Sequence, residues 1–296
     1  MDLINATVKK GMTVQFGTYP QSKVTDATLL SRLNAERGTL PTSENSQKWT
    51  DYGYYIKGSV SSYMWYIDIR DETDEYRGVY FTSYRPYDTA IASSTSGKSY
   101  QPNNGYDKSH VYWFKYEPIT WRVLDVQSNR AFLMADLVLD SQDYHYSWAE
   151  RPPIDGRPIH PNNYEHSHIR SWLNDNFYNT AFSTEEKARI QTTIVDNSDA
   201  LTANTSDKVF LLSYAEATNA SYGLSTDASR QLHPSRYAQS QGVLTYSNDN
   251  PNWWLRSPDD YYAYSARYVY SDGNVYSSDS VSLTDNGVVP ALWISL

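Results

Sequence analysis

Asp272-Gly273 stands between two stretches in which apolar and polar residues alternate, Tyr268-Val269-Tyr270 before it and Val275-Tyr276 after it. An Asp-Gly pair in that setting is a strong short-range hairpin signal, because glycine tolerates the positive φ that a tight turn requires. Successive strand residues point to opposite faces. Val269, Val275 and Val281 are therefore expected to face inward and the Tyr and Ser beside them outward. Upstream, Trp253-Trp-Leu-Arg256 reads as core; downstream, Asn286-Gly287 reads as a second turn and Val288–Ile294 as a buried terminal strand. Residues 253–296 thus read as an apolar scaffold displaying one polar face.

The chemistry of that face is narrow. From Asp259 to Asn286, 19 of 28 residues are Tyr, Ser, Asp or Asn, in a chain that holds 28 Tyr in all. Tyrosine gives a large rigid contact face with a polar tip and is favoured in paratopes, although it also favours strands. Lys, Glu, Gln, Trp and Met number 43 in the chain and none falls in this window. About four or five would be expected there at the chain-wide frequency. Those five types share one property: no codon for them ends in a pyrimidine. Randomising the first two bases of an Asn codon yields Tyr, Ser, Asp, Ala and Val, and never those five.

The rest of the 296 residues reads as an α+β chain with much irregular structure. Met12–Phe16 is a strand pattern running into a turn at Gly17–Pro20, and residues 23–36 form a helical pattern on Leu29, Leu30 and Leu33. Residues 49–87 read as several strands, 93–110 as a polar loop, and Val111–Lys115, Ile119–Val126 and Ala131–Leu137 as core strands. Residues 140–166 look irregular. Ser167 is an expected N-cap for a helix carrying Ile169, Trp172, Leu173 and Phe177, and Ser183-Thr-Glu-Glu186 a capping box opening a helix through Gln191. Val209–Leu212 reads as a short buried strand and Ser213–Ala220 as a short helix. One domain over 1–296 is expected, with 22–110 as an N-terminal elaboration and 253–296 as the variable scaffold.

Several blocks resemble a known group of proteins: Val14-Gln-Phe-Gly-Thr-Tyr-Pro-Gln21, Pro118-Ile-Thr-Trp-Arg-Val-Leu124, Ile169-Arg-Ser-Trp-Leu-Asn174, Val209-Phe-Leu-Leu-Ser213, Trp253-Trp-Leu-Arg-Ser-Pro258 and Gly287-Val-Val-Pro-Ala-Leu292. Their order is similar to a bacterial and phage domain family of uncharacterised biochemistry, some members of which are variable proteins of diversity-generating retroelements. The resemblance implies a C-type lectin-like fold of the formylglycine-generating-enzyme-like variety, with mixed and antiparallel sheets and two main helices. It further implies a ligand-binding surface made of Asp260, Tyr261, Tyr262, Tyr264, Ser265, Tyr268, Tyr270, Ser271, Tyr276, Ser278, Asp279, Ser282, Asp285 and Asn286. The partner expected for it is a protein or glycan surface, met without a cofactor, and this protein itself is expected to be displayed on a virion or cell through another protein.

A formal charge of −9, from 34 Asp and Glu against 25 Lys and Arg, disfavours nucleic acid as a partner. No apolar run is long enough for a membrane span, and no secretory leader is expected at the N-terminus. The chain has no cysteine, which rules out disulfides, thiolate zinc sites and the cysteine chemistry of the oxidase that lends the fold variety its name. His160, His166 and His168 lie close in sequence and His166-Ser-His168 could chelate a metal, but the pattern lacks a third ligand at a recognised spacing, so a solvated loop is expected. Gln101-Pro-Asn103 resembles a lectin tripeptide by coincidence, and Asp259-Asp260 could coordinate a cation with Asp272 or Asp279 but lacks a loop of calcium-binding spacing. Glu185-Glu186 is read as helix capping, and Arg256 as a buried arginine paired with a carboxylate. The competing readings are a hydrolase with acid–base groups in a cleft near His145, His160 or His168, and a structural phage-tail module.

Overall fold

A 17-residue strand, Val111–Gln127, runs through the centre of the computed structural model, which describes residues 8–91, 99–198 and 202–296. Along one edge it pairs antiparallel with Thr13–Lys23. Along the other it pairs first with Asp74–Phe81 and then with Arg130–Ala135. The two strands expected here are therefore one. Pro118 lies where the second edge changes partner, so its missing N–H breaks no ladder there. The sheet continues outward through Met64–Asp71 to Thr50–Asp51 on one side, and through Ala291–Ser295 to Ile190–Gln191 on the other. Every pairing in this eight-stranded sheet is antiparallel.

The expected turn at Gly17–Pro20 is absorbed into the first strand. Register shifts fall between Gln15 and Thr18 and between Pro20 and Ser22, so the turn-forming residues build bulges rather than a reversal. Gly17 has φ +71°, and a Cβ there would meet the Phe182 ring at 2.7 Å. Its N–H donates to Glu186 Oε1 at 2.8 Å.

Helix Ala27–Glu36 is capped by Asp26 and buries Leu33 in a side cluster with Trp49, Trp65 and Trp113. Ser167 caps the helical run His168–Ala181 as expected, with a π-helical turn over Leu173–Phe177. The Ser183/Glu186 capping box is formed, but that helix ends at Arg189, and Ile190–Gln191 turns into a strand against Trp293 and Ile294. Val209–Leu212 is buried but joins the sheet through a single bridge, Phe210 to Ala291. Within the stretch read as irregular, Arg151–Ile154 and Arg157–Ile159 form a small hairpin. The described part of the expected polar loop, 99–110, is docked rather than free: Gln101 is buried, accepting from Arg85 N at 2.7 Å and donating to Ser240 O at 2.8 Å.

A second, five-stranded sheet carries the C-terminal segment, in the order Val275–Ser280, Ser265–Val269, Trp253–Pro258, Gly287–Val288, Asp140–Ser141. Its one parallel pairing is between Trp253–Pro258 and Gly287–Val288. The expected terminal strand Val288–Ile294 is two strands in two sheets: Pro290 interrupts it, and the chain crosses to the large sheet at Ala291. Asn286-Gly287 is correspondingly no turn; Asn286 is buried and Gly287 begins a strand. The architecture is α+β with predominantly antiparallel sheets. No helix among the described residues is long and apolar enough to cross a membrane.

Candidate functional site

The Asp-Gly hairpin is present, with Val269 opposite Val275 and Tyr268 opposite Tyr276. Gly273 has φ +92°, and a Cβ on it would come within 1.9 Å of the Asp227 carbonyl oxygen. The tip is pinned from outside the hairpin: Arg230 Nε donates to Gly273 O and Gln231 Nε2 to Asp272 O, both at 2.7 Å. Val269 and Val281 are fully buried, whereas Val275 is half-buried at the sheet edge. Arg267 faces two residues, Ser277 and Ser278, because the register shifts between Ala266 and Tyr268. That bulge lies on the edge strand, where it discourages another strand from adding to the sheet.

The fourteen candidate surface residues separate into three groups. Asp260, Tyr261, Tyr262, Tyr264, Tyr276 and Ser278 are exposed, Tyr261 by 87 %. Tyr268, Tyr270, Asp279 and Asp285 are half-buried. Ser265, Ser271, Ser282 and Asn286, expected to face outward, are instead buried, each for a visible reason. Ser265 O takes the Asp259 N–H and an Asn162 amide hydrogen. Ser271 N donates to Asn252 Oδ1, and its carbonyl accepts from Asn248. Ser282 Oγ donates to Asp88 at 2.7 Å, and Asn286 Nδ2 to Asp279 Oδ2 at 2.8 Å. Strand alternation stops applying past Ser280, where the chain leaves the ladder.

Two devices hold the exposed loop. Asp259 Oδ1 accepts the N–H groups of Tyr261 and Tyr262 at 2.8 and 2.6 Å. Asn162 donates from Nδ2 to Tyr262 O at 3.1 Å and from its own N–H to Ala263 O at 3.0 Å. Tyr261, Tyr262 and Tyr264 therefore stand on a backbone fixed by side-chain bonds rather than on a free loop. On the hairpin face the rings of Tyr268 and Tyr276 stack at 5.9 Å and 21°, Tyr270 meets Tyr276 edge-on at 5.5 Å, and Tyr246 meets Tyr270 at 5.0 Å. Burial pushes the Asp279 carboxyl up. Burial together with the neighbouring Asp279 charge pushes Asp285 up to about 7.

Beside the Tyr261 loop lies a groove of about 930 Å³, walled by the 151–159 hairpin, the turn 160–166, Thr202-Ala203 and the loop Pro258–Ala263. Of the histidines considered for a hydrolase, His160 lines it together with His166, while His145 and His168 are not among its walls. His160 pairs with Glu150 at 2.8 Å. His168 Nδ1 pairs with the buried Asp143 at 2.8 Å, and burial pushes His145 down to about 3, leaving it neutral. No group of three or more His, Asp or Glu that could hold a metal occurs among the described residues. Asp260 pairs with Arg267, and Arg256 is buried in an ion pair with Glu216. Sequence reasoning missed Tyr214, which is exposed with the Arg267 guanidinium 4.8 Å from its ring centre. A cleft near His160 is what the hydrolase reading requires, but its second wall, the loop Pro258–Ala263 about a hundred residues away, was not anticipated.

No curated protein and no solved structure matches the chain. A family model described as Domain of unknown function (DUF6273) matches residues 128–296, more than half of the chain, from the turn after the long central strand through the groove and the tyrosine hairpin to the C-terminal strand. The chain belongs to the DUF6273 family.

Proposed function

We propose that this chain is a receptor-type ligand-binding protein whose face over residues 259–286 is a variable surface, diversified by a retroelement. Its fold, on this reading, is the C-type lectin kind in the formylglycine-generating-enzyme-like variety. The observation that carries the proposal is a contrast in how tyrosine is used. Elsewhere in the chain Tyr is a core or half-buried residue; four of the five exposed tyrosines, Tyr261, Tyr262, Tyr264 and Tyr276, belong to this one segment, with Tyr214 the fifth. Interleaved with or just past them stand fully buried anchors: Ala266 and Val269 before Tyr276, and Val281 after it. Such a division lets contact residues change while the scaffold keeps its packing. Binding is non-covalent, to a protein or glycan surface, and needs no cofactor.

The test is a displayed library randomised at Asp260, Tyr261, Tyr262, Tyr264, Tyr276 and Ser278 and selected on an arbitrary folded protein. A variable surface gives mostly folded members and recoverable binders. A library that largely fails to fold, or folds and yields no binder, removes the proposal.

A further inference from the structure

Four carboxylates line the groove beside Tyr261, namely Asp155, Glu165, Asp259 and Asp260, against one guanidinium, that of Arg157. Asp260 is engaged by Arg267, and Glu165 lies 3.6 Å from His166. Asp259 is the informative member. It is 7 % exposed, its Oδ1 is committed to the loop amides, and its Oδ2 has no hydrogen-bond partner among the described residues. A carboxylate oxygen withdrawn from water without a donor is costly until a donor arrives, and a cationic donor relieves it most. The formal charge of −9 on the whole chain adds long-range attraction for cations. At the lip, Tyr261 offers an open ring face that an ammonium or guanidinium can cover.

The walls also exclude one mode of binding. The hairpin carries Pro152, Pro153 and Pro158 within its two strands, which removes backbone donors along its edges. An incoming strand cannot extend it, so recognition falls to side chains.

We infer that this groove receives a lysine- or arginine-bearing loop of a protein partner, whose basic side chain enters between Glu165 and Asp259 and packs on Tyr261. The inference rests on the proposed binding function and narrows its partner to a protein with a cationic protrusion.

The experiment uses the full chain and a fluorescein-labelled peptide of alternating arginine and glycine. Its control is the same peptide with neutral citrulline in place of arginine, and both are read by anisotropy at physiological salt. The arginine peptide is expected to bind at least about tenfold more tightly than its citrulline analogue. The double variant Asp155→Asn/Glu165→Gln is expected to lose about tenfold in affinity. Glu36→Gln/Glu185→Gln, an equal charge change at exposed positions outside the groove, is expected to leave binding unchanged. Equal binding of the two peptides overturns the inference. So does equal weakening by both double variants, which marks unspecific attraction, or binding of neutral maltohexaose in the groove without binding of the arginine peptide. The diversification reading fails separately, through uniform codons over 259–286, whatever the peptide does.

Discussion

Arg230 Nε donates to the carbonyl oxygen of Gly273 at 2.7 Å, tying a short helix to the tip of the tyrosine hairpin. Because the Asp227 carbonyl of that helix occupies the space a Cβ would need, Gly273→Ala has to displace the tip as well as bear a positive φ. The expected loss is on the order of 2–3 kcal/mol, seen as a lower urea midpoint with an unchanged slope. An unchanged midpoint would show that the tip is not held as described.

The exposed tyrosines are expected to contribute little to stability. Tyr261→Ser, Tyr262→Ser and Tyr276→Ser should each fall within about 0.5 kcal/mol of the parent. Val281→Ala, which empties a fully buried site, should cost on the order of 1–3 kcal/mol. Thermal unfolding of the four variants separates scaffold from display; similar losses throughout would merge them.

Asp285 gives the protein a pH signature. The carboxyl ionises near 4 in an unfolded chain and at about 7 in the folded one. Between those values the native state holds a proton that the unfolded chain has released, so the contribution of Asp285 to stability falls as pH rises from 4 to 7 and is level above 7. Asp285→Asn removes this dependence. Relative to the parent, the variant should gain on the order of 4 kcal/mol between pH 4 and pH 7. Denaturant melts at pH 4.5, 6 and 7.5 measure it; parallel curves for the two proteins would contradict it.

Asn162 lies about a hundred residues from the loop it supports. Asn162→Ala removes the amide bonds to Tyr262 O and Ser265 O and should cost about 1–2 kcal/mol. It should also speed amide exchange over 259–264 more than over the hairpin ladder. Uniform acceleration would place the loop's support elsewhere.

Local rules explain which parts of this fold were readable. The Asp272-Gly273 turn, the Ser167 cap and the Ser183/Glu186 box each depend on neighbours within a few residues, and all three are formed. Features set by distant partners were not legible. Pro118 reads as a strand break until the change of neighbouring strand beside it is seen, and Pro290 turns an apparent single strand into a crossover between two sheets. In the candidate surface, alternation placed Val269 correctly inside and Tyr276 outside. It failed for Ser282, which is bonded to Asp88, while Ser271 shares the inward face with Val269 and was placed on the surface by its chemistry alone. Small polar residues carry no signal that tells a displayed hydroxyl from one bonded inside.

The most direct measurement is deep sequencing of the codons for Trp253 to Leu296 across the source population. The account predicts amino-acid changes concentrated at exposed positions such as Tyr261, Tyr262, Tyr264, Tyr276 and Ser278, with Trp253, Val269, Gly273, Val281 and Pro290 constant. Uniform codons throughout the segment, or changes scattered evenly over buried and exposed positions, would contradict it.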